Sequence, residues 1–185
     1  MILCLDVQYA PDAADVAAVG FVDWTQAHST LEFVEHSDEP PAPYEPGQFY
    51  KRELPLLLQA IHRAEQRQPV AIVLIDGHVW LRPDQPGMGA HLHHALQARV
   101  VVIGVAKTAY RDGIAQPVRR GGSDKPLYVT AAGIHPDQAA ACIQRMHGEH
   151  RIPTLIKRAD QLARRLAVPL PSPPSPPSKR SGDAD

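Results

Sequence analysis

Two runs of this chain, VAIVLIDG at 70–77 and RVVVIGVAK at 99–107, leave little freedom in what it folds into. Each is apolar almost without a break and closes on a charge or a glycine. A strand with one wet face alternates apolar and polar residues, whereas a strand covered on both faces has no need to alternate. The two runs therefore predict adjacent buried parallel strands with helices packed around them. GMGAHLHHALQ, 87–97, lies between them and predicts a short helix.

The flanking segments extend this pattern. ILCLDVQY (2–9), VAAVGFVDW (16–24) and TLEFVEH (30–36) predict a three-strand antiparallel meander. From Glu53, ELPLLLQAIHRAEQ has apolar residues at 54, 57, 58 and 61, a helical spacing, with Pro55 expected in the first turn. PLYVTAAG (126–133) predicts another strand. HPDQAAACIQRMHGEH predicts a helix opened by Pro136 and Asp137, and PTLIKRADQLARRL (153–166) an amphipathic helix. The order is β-β-β-α-β-α-β-β-α-α without internal repeat. It is the order of a ribonuclease H-like α/β fold: a mixed sheet of three antiparallel N-terminal strands, then parallel strands, flanked by helices. A fold alone does not give a function.

A single domain over 1–167 is expected, followed by a Pro/Ser-rich disordered tail, VPLPSPPSPPSKRSGDAD, at 168–185. Two cysteines make no disulfide framework, so reduced thiols and a cytoplasmic location are expected. The opening MILCLDV lacks the basic flank of a signal peptide, and no apolar run is long enough for a membrane span. The formal net charge is −1, so any nucleic-acid binding must rest on a local site.

Asp6 stands on an otherwise apolar strand, and Asp76 ends another. A buried charge without a partner is costly, so each must be paired, neutral or metal-bound. Either acid alone reads equally as a cap or a salt bridge. Together they matter more, because the expected topology makes the first and fourth strands neighbours. Two carboxylates at the sheet centre suit Mg²⁺ or Mn²⁺, hard cations that prefer oxygen and can promote attack on a phosphate. Lys107 ends the strand expected beside that of Asp76 and reads either as part of the same pocket or as a solvated lysine. Asp160, in KRADQLARR, reads as a site acid or as half of an intrahelical ion pair.

At this point the residues resemble the endonuclease V family, nucleases directed at deoxyinosine and inosine. The matching blocks are LDVQY (5–9), PYEPGQFYKRELPLLL (43–58), IDGH (75–78), GMGAHL (87–92), IGVAK (103–107), PLYV (126–129) and RIPTLIKRAD (151–160), in the family's order. The resemblance implies a metal site held by Asp6 and Asp76 and completed by Glu53 and Asp160, with Lys107 stabilising the attacked phosphate. It implies a strand-separating wedge at Pro43, Tyr44, Glu45 and Pro46. A stiff loop loses little entropy on insertion, and an aromatic ring offsets part of the unstacking cost. Gly47, Gly77 and His78 fall on the family's base pocket.

The chain departs from the family in three places. Val79 replaces a usual glycine, and Arg82 a usual histidine, both near the expected base pocket. The stretch 108–125 is short and is expected to lack a hairpin. AAGIH stands where the family has a Gly-His pair. The cluster HLHH (91–94) reads as a helix face or a transition-metal site. Arg119 and Arg120 read as a solvated loop or a phosphate grip. Lys157, Arg158, Arg164 and Arg165 form a basic stripe expected to track phosphates.

The resulting expectation is a Mg²⁺-dependent endonuclease, with Mn²⁺ as substitute, acting near deoxyinosine or inosine in DNA or RNA and leaving a 3′-hydroxyl and a 5′-phosphate in nucleic-acid repair. A monomer is expected, and nothing in the sequence identifies a protein partner. The alternatives are a diverged nucleic-acid binder that cuts poorly, and a nuclease for other mismatched, flapped or single-stranded structures.

Overall fold

In the computed structural model of the chain, residues 1–10, 13–37 and 50–166 are described. Pro43, Tyr44, Glu45, Pro46, Gly47 and the segment 168–185 lie outside the described residues.

Alternation within the central strands sets the layers. On β1 (Ile2–Tyr9), Leu3 and Leu5 enter one core while Ile2 and Cys4 enter the other. On β4 (Ile72–Asp76), Val73 and Ile75 share the first core, and Leu74 the second. The first core is covered by α1 (Tyr50–Glu65) and α2 (Met88–Ala95). The second is covered by α3 (Pro136–Arg145) and α4 (Thr154–Leu166). α1 presents Leu57, Ala60, Ile61 and Ala64, an i, i+3, i+4, i+7 stripe.

The main sheet has seven strands in the order β3-β2-β1-β4-β7-β9-β8. β1, β2 (Ala14–Phe21) and β3 (Leu31–Ser37) form the expected antiparallel meander. β1, β4 and β7 (Val101–Ala106) run parallel. The sheet is mixed, as expected, but its parallel part ends at β7. β9 (Leu127–Ala132) joins β7 antiparallel, and β8 (Gln116–Val118) pairs antiparallel with β9.

Two local expectations are corrected, and one hairpin is added to the expected order. The stretch 108–125 carries β8, so it contributes to a β8–β9 antiparallel pair instead of lacking one. A small hairpin, β5 (Trp80–Arg82) with β6 (Gln85–Pro86), follows β4. α1 begins at Tyr50, which places Pro55 inside the helix instead of in its first turn. Its ring forfeits the N–H that would have met the carbonyl of Lys51.

None of the described helices is long and apolar enough to cross a membrane.

Candidate active site

The parallel register of β1 and β4 aligns Leu5 with Ile75, so Asp6, within β1, and Asp76, at the end of β4, stand one step further on, on neighbouring strands. Each continues the parity of Cys4 or Leu74 and so belongs to the α4 side of the sheet. Asp76 pairs in register with Val105 of β7, and Lys107 lies two residues beyond. Lys107 Nζ reaches Asp76 Oδ2 at 3.0 Å. The sheet itself brings these three side chains together.

The acid pair stands between two recesses. Towards α1, a recess of about 160 Å³ is lined by Asp6, Val7, Glu53, Leu57, Ile75 and Asp76. Towards α4, a larger one of about 310 Å³ has Asp6, Asp76, Lys107 and Asp160 on its wall. Glu53 thus approaches the pair from one side and Asp160 from the other. α1 delivers Glu53 in its first turn, with Leu57 four residues on anchoring that face in the core. On α4, the buried Ala159 and Ala163 flank Asp160.

Burial and mutual repulsion act on the carboxylates. Asp6 is pushed up to about 6, first by burial, then by the charges of Asp76 and Asp160. Glu53 is pushed up to about 7 by burial and by Asp6 and Asp76. Arg52 and the Tyr9 side chain act in the opposite direction on Glu53, and the Arg52 guanidinium lies 4.2 Å from the centre of the Tyr9 ring. Burial opposes the charge on Lys107, but the hydrogen bond to Asp76 and the charges of Asp76, Asp160 and Asp6 outweigh it and raise its pKa. The Cys4 thiol, also on this wall, is held protonated by burial and by Asp6 and Asp76.

Among the described residues no three His, Cys, Asp or Glu side chains converge into a ready-made metal cage. Two of the four acids are held by cations of the chain itself: Asp76 by Lys107, and Asp160 by Arg164, whose Nη2 lies 2.8 Å from Oδ1. The donor chemistry nevertheless fits a hard divalent ion. The candidate donors are all carboxylate oxygens, and two have pKa values raised by burial and then by repulsion, the part that a cation between them would relieve.

The other candidates divide. His78 Nε2 lies 3.2 Å from the carbonyl of Thr108, and its ring meets Tyr110 edge-on at 6.5 Å. Its Nδ1 is buried without a partner among the described residues. Gly77 has φ +124, a conformation side chains rarely adopt, and a Cβ there would meet open space. Val79, by contrast, is wholly buried and does not line the space beside Gly77. Its Cγ2 fills the place where a Cβ on Gly89 would come within 2.6 Å. Arg82 instead ties two loops, pairing with Asp112 at 3.6 Å and lying 5.7 Å from the Tyr110 ring centre.

The histidine cluster is not a metal site among the described residues. His91 stacks on Tyr50 at 3.6 Å, and His93 Nε2 is buried near Gly133. Arg120 is 7% exposed and its Nη2 donates to the carbonyls of Met146 and Gly148, so it is a structural tie and not a phosphate grip; Arg119 is exposed. The basic stripe on α4 is thinner than expected. Arg158 forms a bidentate pair with Glu32, and Arg164 is held by Asp160. Sequence reasoning missed Arg151, whose Nη2 donates to the carbonyls of Lys107 and Pro126. Its only signal was its place at the start of RIPTLIKRAD.

A family model described as Endonuclease V matches residues 1–135 of this chain. The chain belongs to the endonuclease V family. A curated endonuclease V from Xylella fastidiosa is 32% identical over 144 residues, covering 66% of this chain and 59% of the relative. One from Rhodospirillum centenum is 30% identical over 175 residues, covering 83% and 71%. The chain thus spans about three-fifths of the length of the Xylella relative. Among solved structures, Streptomyces avermitilis endonuclease V superposes with a TM-score of 0.73 at 26% identity, over 90% of this chain and 80% of that one. Ciona intestinalis endonuclease V, in complex with a 24mer DNA containing an inosine followed by a ribo-adenosine, gives a TM-score of 0.76 at 18% identity, over 90% and 85%. The Ciona likeness supports the fold. The family match ends before Asp160, so that acid rests on the geometry of α4.

Proposed function

We propose that this family member is a divalent-metal-dependent endonuclease that cuts a phosphodiester near deoxyinosine or inosine in DNA or RNA, in nucleic-acid repair. The observation that carries the reading is the adjacency of Asp6 and Asp76 on neighbouring parallel strands, with Glu53 on one side and Asp160 and Lys107 on the other. Mg²⁺ or Mn²⁺ would be held by Asp6 and Asp76, with Glu53 and Asp160 completing the set. When bound, such an ion supplies Lewis acidity to the phosphate and to water.

The residues of the chain account for the rest. Lys107, its ammonium fixed on Asp76, offers a positive charge to the non-bridging oxygens as charge builds on them. Glu53 faces the acid pair from the α1 side, where it would help to hold the ion. Water oxygen bonds to phosphorus, the bond from phosphorus to the 3′ oxygen breaks, and that oxygen gains a proton. The products are a 3′-hydroxyl and a 5′-phosphate. The open space beside Gly77 supports a base-binding role there. The wedge role of residues 43–46 rests on the family resemblance.

A labelled deoxyinosine oligonucleotide and its inosine RNA counterpart, with Mg²⁺ or Mn²⁺, test the reading. Metal-dependent cleavage is expected, and Asp76→Ala should lower it by at least about a thousandfold. Binding by the intact protein without product on either substrate would favour the diverged-binder alternative, and cleavage of flaps or mismatches alone would favour the other nuclease.

A further inference from the structure

The recess between the sheet and α4 is larger than the acid site needs. Its floor and walls are mainly apolar, formed by Val105, Leu127, Ile152 and Ile156. At about 310 Å³ it stands at the lower end of the roughly 300–1,000 Å³ typical of ligand pockets. It holds neither Gly77 nor His78, so it is separate from the space where the damaged base is expected.

Its wall carries both signs of charge: Asp6, Asp76 and Asp160, and with them Lys107, Arg151 and Lys157. Lys107 is engaged by Asp76. Among the described residues Arg151 has no carboxylate partner: its Nη2 is spent on two backbone carbonyls and its Nε is buried without an acceptor. Lys157 is exposed on α4 and, among the described residues, has no acid partner. A guanidinium held only by carbonyls keeps its full charge, and an anion is the partner it lacks. A ligand with flat apolar faces and one anionic end fits this wall, its anion taken by the cations that no carboxylate holds.

We propose that this recess is a second nucleotide subsite. It receives the base of a nucleotide next to the cut, splayed from the strand, with a phosphate on Arg151 and Lys157. The inference rests on the nuclease reading for its choice of ligand. Occupancy would press the substrate backbone against the acid pair from the α4 side, opposite Glu53. Through its bond to the Lys107 carbonyl, Arg151 would then also link nucleotide binding to the position of the lysine that faces the cut phosphate.

The test needs neither metal nor turnover. Methyl-labelled protein in EDTA is titrated with deoxyadenosine 5′-monophosphate, deoxyadenosine and inorganic phosphate, each alone. The monophosphate should shift the methyl signals of Leu127, Ile152 and Ile156. Phosphate alone should leave them in place. Lys157→Gln and Arg151→Gln should each weaken the monophosphate by about tenfold and leave deoxyadenosine unchanged. Ile156→Phe, checked for an intact melt, should block both. Unmoved methyl signals, or equal shifts with phosphate alone, would overturn the subsite. Asp76→Ala separates the two readings: it should abolish cutting while retaining nucleotide binding. Binding without cleavage by the wild-type protein would reject the nuclease reading and keep the subsite.

Discussion

Asp6 and Glu53 hold their protons in the folded, metal-free protein to about pH 6 and pH 7. In the unfolded chain both ionise near pH 4. Between those limits the folded state binds more protons, so the stability contributed by these groups falls as pH rises and levels off above about 7. A tenfold change in proton affinity corresponds to about 1.4 kcal/mol, so each acid costs on the order of 2 kcal/mol at neutral pH once residual solvent contact is allowed for. His91 titrates in the same range with the opposite sign, its pKa lowered by burial and by His94. The comparison must therefore be between wild type and Asp6→Asn. In EDTA, thermal melts should show wild type losing stability relative to Asp6→Asn from pH 5 to 7.5. Mg²⁺ or Mn²⁺ at pH 7.5 should raise the wild-type melting temperature more than that of the variant. A constant difference across the pH range would remove the repulsion assigned to this pair. Asp6 and Asp76 were legible in the sequence because an acid in an apolar strand needs a reason. The Asp160–Arg164 pair was legible only as one of two readings, since i,i+4 spacing permits a pair without requiring it.

At the scale of elements, the loop after β4 sets where Asp76 ends. The chain turns at Gly77 and passes over β7 at Gly104, where a Cβ would lie 2.6 Å from the Gly77 carbonyl oxygen and 2.8 Å from Val79 N. Val79 N–H then donates to the buried Thr130 hydroxyl at 2.7 Å, and Trp80 Nε1 donates to the Ala131 carbonyl. Thr130→Val keeps the shape but leaves a buried N–H unpaired, a cost of about 1–3 kcal/mol. Thr130→Ser should recover most of it. Denaturant titrations of the three proteins measure this order, and a Val variant as stable as wild type would show that the hydroxyl does not anchor the loop. Gly104→Ala should destabilise further, because backbone atoms must move. The long strands were legible from their apolar runs. β5, β6 and β8 were not: they have two or three residues each, too few for a period, and prolines stand in β6 and β8. The start of α1 was obscured by Pro55, which reads as a first-turn residue.

For the molecule as a whole, the first and last elements are interdependent. β1 lies in the middle of the sheet, and α4 covers its second face, burying Leu155, Ala159 and Ala163. Arg158 fastens α4 to Glu32 on β3, a residue 126 positions earlier, by a bidentate pair. This solvent-touched bridge contributes about 0.5–1 kcal/mol, so most of the hold comes from the buried apolar stripe. A chain ending at His150 keeps every strand and the whole family-matched segment, yet it uncovers Cys4, Val19 and Phe21. An open sheet face of that kind does not hold a unique packed state. Such a chain should lose its cooperative melt in circular dichroism and bind a hydrophobic dye, whereas Arg158→Ala should melt cooperatively only a few degrees lower. It should also lose all cleavage, because α4 carries Asp160 together with one wall of the large recess. A cooperative melt near the full-length temperature would show that strands and α1–α3 suffice for the fold. Loss of cleavage in that folded, shortened chain would then isolate the contribution of α4 to the chemistry.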